Sequence, residues 1–166
     1  MTERLAEWFV VNFGGTISRE VIVFIVSLLP ILELRGGIIV GYALGLELLP
    51  AFVISYIGNI IPIPFILLFI RFIFEKLKKT RLSGIINKLE QKAISKSDKI
   101  DKYAFWGLLL FVAIPLPGTG GWTGALIAAL LNLDFKKSFF TIALGVLIAG
   151  IIVSALSFGL LDALRS

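Results

Sequence analysis

Cysteine and histidine are both missing from this 166-residue chain, and the two absences remove whole classes of chemistry. Disulfides, thiol nucleophiles, imidazole bases and the usual zinc-ligand sets are excluded together. Charge is scarce as well: only 16% of the residues are Asp, Glu, Lys or Arg, whereas 58% are hydrophobic. That leaves too little polar surface to clothe a soluble domain, so the composition predicts a single all-α integral membrane domain over residues 1–166. At membrane depth the acid–base candidates shrink to Glu33, with no nucleophile or ligand cluster beside it. No enzyme activity, cofactor or metal is expected. The net charge of +5 is expected to meet membrane lipid, not nucleic acid. Glu3 and Glu7 stand where a signal peptide would be basic, and no small-residue cleavage pattern follows Val21 to Leu32. The N-terminal segment is therefore expected to stay with the mature chain.

What the chain has in quantity is long uncharged runs, two of them broken at the centre. Tyr103 to Leu133 carries no charge and is interrupted by Pro115-Leu116-Pro117-Gly118-Thr119-Gly120-Gly121. The arms on either side hold only 12 residues each, about 18 Å of helix, where about 20 residues are needed to cross a bilayer. Entry without exit is the expectation: a re-entrant hairpin over 103–133, its tip buried in protein or lining a wet cavity. Val21 to Leu32, Glu33-Leu34-Arg35-Gly36-Gly37 and the uncharged stretch to Leu46 repeat the layout, giving a first hairpin over 20–46. Leu48 to Ile70 and Ser138 to Leu161 are uncharged for 23 and 24 residues. They predict spanning helices at 48–72, kinked at Pro62 and Pro64, and at 137–161. Thr2 to Asn12, with Trp8, suits a helix lying in the interface.

Arg71 to Lys102 holds ten Lys or Arg against four acids. Within it Leu82, Ile85, Ile86, Leu89 and Ala93 recur at helical spacing, so 78–102 is predicted as an amphipathic basic connector on an anionic leaflet, or a plain solvated linker. Basic loops favour the cytoplasm. A re-entrant 103–133 returns Lys136 and Lys137 to that side, placing twelve of the sixteen basic residues together and orienting the connector of a cytoplasmic-membrane protein. Gly37, Gly41 and Gly45 match Gly121, Ala125 and Ala129 at an offset of roughly 84 positions. The expected fold is thus two inverted repeats, 1–77 and 103–166, each an interfacial helix, a re-entrant hairpin and one spanning helix. Small residues every fourth position are equally explained by close helix packing in lipid.

The tips carry the candidate site. Glu33 and Arg35 lie between apolar arms, where each charge costs roughly 2.5 to 3.5 kcal/mol on insertion scales. They form either a structural ion pair or a site in which Glu33 takes a proton or cation and Arg35 holds an anion. Gly118, Thr119, Gly120 and Gly121 open a helix, and free N–H groups there suit an anion; alternatively, they only make the turn. Thr123 could add a hydroxyl, Trp122 a cavity wall or interface anchor, and Asn59 a polar group facing either the site or a neighbouring helix.

Glu-Leu-Arg-Gly-Gly at 33–37, with Pro-Leu-Pro-Gly-Thr-Gly-Gly-Trp-Thr-Gly-Ala at 115–125, resembles the small multidrug export protein family over nearly the whole chain. More distantly it resembles the DedA or VTT-domain membrane proteins, from which it differs by having no acid or arginine in its second tip. The resemblance implies Glu33, Arg35, Gly36 and Gly37, and the tip from Pro115 and Pro117 to Trp122 and Thr123, as functional positions. The tips themselves lead to the expectation of ion- or proton-coupled export of a small amphipathic or anionic solute through a site formed by the two re-entrant loops. A flippase for phosphate-bearing lipids and a non-transporting scaffold are the alternatives, separable because a scaffold would depend on the Lys-rich connector instead of Glu33 and Arg35. Two spans bury little of a polar tip, so a homodimer or larger homo-oligomer is expected.

Overall fold

The computed structural model describes residues 18–77, 84, 97–116 and 118–160. The expected interfacial helix at 2–12 and nearly all of the basic connector lie outside the described residues. Among those described there is no strand, and every element is helical.

Helices α1 (Arg19–Leu28) and α2 (Glu33–Ala43) are the arms of the first broken run. Pro30 forces the residue before it out of helical geometry, and Leu29 is accordingly extended at φ −75°, ψ 133°. Helix α2 ends at Gly45, φ +74°, where Gly45 N–H donates to Tyr42 O and Leu46 N–H to Gly41 O. This is a Schellman closure, which needs a residue that accepts left-handed backbone. Helix α3 (Leu48–Ile60) follows, and α4 (Pro62–Leu77) continues it past Ile61. Pro62 has no N–H to give to the preceding turn, so the first long run is two helices meeting at a joint. Together Leu48–Ile70 is long and apolar enough to cross a membrane.

The second half repeats this order. Helix α5 (Ser97–Ala113) and α6 (Gly121–Leu130) flank the second break, and α7 (Phe135–Ser154) runs into a π-helical end at Ala155–Leu160. Helix α5 begins inside the segment assigned to the connector, because no breaker separates Ser97 from Tyr103. The second long helix begins two residues earlier than expected, since Asp134 caps it by accepting from Lys137 N–H at 2.9 Å. Phe135–Gly159 is the second segment able to cross a membrane.

Asn132, at φ +52°, closes α6 as Gly45 closes α2, with Leu133 N–H on Ala128 O. The two closures stand 87 positions apart, not 84. On that register Pro30 pairs with Pro117, Gly37 with Gly124, Glu47 with Asp134 and Gly58 with Gly145. The glycine spacing alone had pointed three residues away.

Helices α1, α2 and α3 pack on one another; α5 packs on α7, α6 on α4, and α7 lies across α2, α3 and α6. Small residues permit these contacts: a Cβ on Gly41 would stand 2.8 Å from Ala51 Cβ, and one on Gly145 2.8 Å from Val112 Cβ. Leu34, Ile38, Ile63, Leu67, Val112 and Ile142 centre the main core. Outward, Phe65, Phe69, Phe72, Trp106, Leu110 and Phe140 are all more than half exposed, an apolar exterior suited to lipid.

Candidate functional site

The two helix breaks meet. Glu33 opens α2 with φ +51°, a left-handed backbone that costs a residue with a Cβ roughly 1–2 kcal/mol. The turn aims its carboxylate across the molecule, where it is only 5% exposed. One oxygen accepts from Gly121 N–H at 3.2 Å and the other from Trp122 N–H at 3.0 Å. These are the first two amides of α6, which have no partner within their own helix. A carboxylate there also meets the positive end of the helix dipole. Hydrogen bonds to a charged group are worth about 1.5–3 kcal/mol each, so two of them offset an insertion cost of about 2.5–3.5 kcal/mol. Gly120 makes the approach possible. It sits at φ +144°, and a Cβ there would run into the Glu33 carboxylate.

Arg35, half-buried, serves the other end of the same break. Its Nη1 donates to Leu116 O at 2.6 Å, and its Nη2 to Ile114 O at 3.3 Å and Thr119 Oγ1 at 3.1 Å. Ile114 and Leu116 lie one and three residues past the end of α5, where the negative dipole end favours a cation; their carbonyls already accept from Leu116 N–H and Thr119 N–H, and Arg35 adds a charged donor to each. Thr119 Oγ1 lies 2.9 Å from each of the same two carbonyls. Two residues two positions apart on α2 thus complement the two opposite ends of the second break, the acid on the amide end and the base on the carbonyl end.

Asn59, on α3 and 2% exposed, lines the same space as Glu33, Arg35, Gly120 and Gly121. Its Oδ1 has no hydrogen-bond partner among the described residues and would lie 3.4 Å from a Cβ on Gly121. The space has no room for a water molecule. Buried polar atoms are nearly always paired; Ser55 Oγ, Trp122 Nε1, Ser138 Oγ and Ser154 Oγ are likewise without a partner among the described residues, but Asn59 Oδ1 is the one whose side chain lines the space with Glu33 and Arg35.

Of the residues singled out from sequence, the structure gathers Glu33, Arg35, Asn59, Thr119, Gly120, Gly121 and the backbone of Trp122 at one junction. Pro115 lies within the break, half-buried, and Gly118 turns it at φ +82°. Gly36 packs on Leu32, and Gly37 is wedged between Ser27 and Ser55 in the α1–α2–α3 seam, away from the junction. The Trp122 ring packs against the main core, and half-buried Thr123 takes no part in the bonds to Glu33 and Arg35. Pro117 lies outside the described residues. The amides expected to hold an anion hold one already, the protein's own carboxylate. Sequence reasoning expected both tips in one site but left the amides for an external anion instead of pairing them with Glu33; the available signal was complementary, an anion lacking a partner in one break and a helix start lacking an acid in the other. It also missed Tyr56, whose hydroxyl donates to Ala143 O at 3.2 Å, tying α3 to α7.

The model of the family described as "Putative small multi-drug export protein" matches residues 33–152. No curated protein and no solved structure matches the chain.

Proposed function

We propose, on the footing that this chain belongs to the small multi-drug export protein family, that it is a membrane transporter for a small amphipathic or anionic solute, coupled to a proton or another ion, and worked by the junction of its two helix breaks. The observation that carries this reading is the crossed capping: Glu33 on the amide end of the second break and Arg35 on its carbonyl end. A structural ion pair would satisfy two charges against each other. Here both are instead spent on backbone groups at the two ends of the break, the free amides of α6 and the carbonyls after α5, which can be exchanged for a ligand without unfolding a helix.

The shortness of α1, α2 and α6, with 10, 11 and 10 residues, supports re-entrant arms of about 15 Å flanked by two true spans. The recurrence at 87 positions supports two repeats, inverted if each contributes one net crossing. On this reading the basic connector faces the cytoplasm, and a second copy of the chain completes the walls of the path.

The test is transport in proteoliposomes with an imposed proton gradient, using a fluorescent amphipathic anion as cargo. Wild-type protein accumulates it; Glu33→Gln and Arg35→Ala each reduce the initial rate at least about tenfold while remaining folded by circular dichroism, a loss on the order of 1.4 kcal/mol in the barrier. Unchanged rates in both variants, with loss only on neutralising the connector lysines, would replace transport with the scaffold reading.

A further inference from the structure

The amides of Gly121 and Trp122 are held by Glu33, yet Asn59 Oδ1 beside them is held by nothing. An ionised carboxylate has no proton to give that acceptor. A protonated one has. We infer that the two amides are a shared anion seat, occupied by the Glu33 carboxylate in this structure and yielded to the anionic group of the solute when Glu33 takes up a proton and turns its O–H to Asn59 Oδ1. This rests on the transporter reading above and names its cargo chemistry, a carboxylate or a phosphate or sulfonate monoester, and its coupling.

Three features support it. The seat already accommodates a carboxylate, with Gly120 giving the anion access that any side chain would block. The acceptor that the released O–H needs belongs to a side chain only 2% exposed, lines the same space and is unpaired. The exchange also conserves charge. Glu33 and Arg35 together are neutral; adding a bare anion would leave one uncompensated charge at membrane depth, at a cost of several kcal/mol, whereas an anion and a proton together add none. The proton comes from water and the displaced carboxyl keeps it, so the seat never stands empty of an acceptor for its amides.

Few other groups can take this proton. On the elements packed around Glu33, α6 and the π-helical end carry no titratable side chain, and α3 carries only Tyr56, bonded to Ala143 O. Arg19 and Glu20 open α1, and Lys136 and Lys137 open α7, each at the end of its helix remote from the junction. Among the described side chains of α5, Tyr103 is titratable and 76% exposed. Arg35 is the remaining charge lining the space.

The experiment measures proton uptake when the purified full chain, in phosphatidylcholine nanodiscs, binds octyl sulfonate, an anion that stays ionised across the working pH range. A pH indicator in weakly buffered solution reads the uptake, with empty nanodiscs and octanol as blanks. The expected result is about one proton per anion, with apparent affinity falling about tenfold per pH unit of rise while Glu33 is ionised. Glu33→Gln should bind octyl sulfonate with no uptake and no pH dependence. Asn59→Leu should need a lower pH for the same occupancy, because the O–H loses its acceptor. Binding without proton uptake by wild-type protein, equal uptake by Glu33→Gln, or no binding by wild-type protein overturns the inference; the wild-type stoichiometry decides alone if the variants do not fold. Adding phosphatidic acid to the nanodiscs separates the sources: competition makes the natural occupant a lipid headgroup, and its absence makes it a free solute. Transport without proton uptake would sink this inference and leave the transporter reading standing. Uptake on binding with no solute moved would do the reverse.

Discussion

At the scale of single residues, the junction depends on two atoms that are absent and one geometry that cannot be imitated. Gly120 and Gly118 both sit in left-handed backbone, but only Gly120 would place a Cβ on the Glu33 carboxylate; at Gly118 a Cβ meets nothing within 4 Å. Gly118→Ala should therefore cost only the backbone strain, about 1–2 kcal/mol, whereas Gly120→Ala adds the loss of one or both charge-assisted bonds, about 1.5–3 kcal/mol each. Denaturant unfolding of the purified protein in detergent checks this, and equal losses would show that Glu33 is not anchored on α6. Arg35 feeds three acceptors from one planar fork, which a point charge on a flexible stem cannot do. Arg35→Lys keeps the charge and should still lose about 1.5–3 kcal/mol in the same measurement, whereas a purely coulombic role predicts no change.

At the scale of elements, much was legible because backbone chemistry announces itself. Pro30 and the Pro-Gly cluster at 115–121 mark breaks, Pro62 a joint, and uncharged runs the two long helices, since each signal acts within a few residues of where it stands. The partners of Glu33 were not legible, because they lie 88 and 89 positions away and periodicity says nothing about which end of which helix a charge will reach. The offset of the two turns was not legible either: glycines serve both turns and close packing, and the positive φ values at Gly45 and Asn132, 87 positions apart, show where the helices close. Packing gives its own prediction. A side chain at Gly145 would meet Val112 Cβ and, at 3.3 Å, Leu109 O of α5, backbone that cannot give way, while Gly107 on α5 faces open space. Gly145→Leu should destabilise by about 1–3 kcal/mol through overpacking, and Gly107→Leu should be neutral or slightly stabilising by helix propensity. Thermal unfolding in detergent separates them, and tolerance at 145 would mean that α5 and α7 do not pack as described.

At the scale of the molecule, the decisive question is which side of the membrane each turn faces, because the broken arms are re-entrant only if they enter and return on the same side. The turns before the two long helices correspond to each other, Glu47 and Asp134 each standing at the N-cap of the helix that follows. If each repeat makes one net crossing, these equivalent turns open on opposite sides, and the Lys-rich stretch selects the cytoplasm for the second. The chain contains no cysteine, so single replacements can be labelled without background. Leu48→Cys and Leu131→Cys are suited to this, being 44% and 43% exposed next to their turns. Applied to intact cells, a membrane-impermeant maleimide should label Leu48→Cys at once and Leu131→Cys only after lysis. Labelling of both from outside would make 103–133 a full crossing with its break at mid-span. The second half would then cross the membrane twice and the first half once, so the two halves could not be an inverted pair, and the proposed re-entrant arrangement would fall.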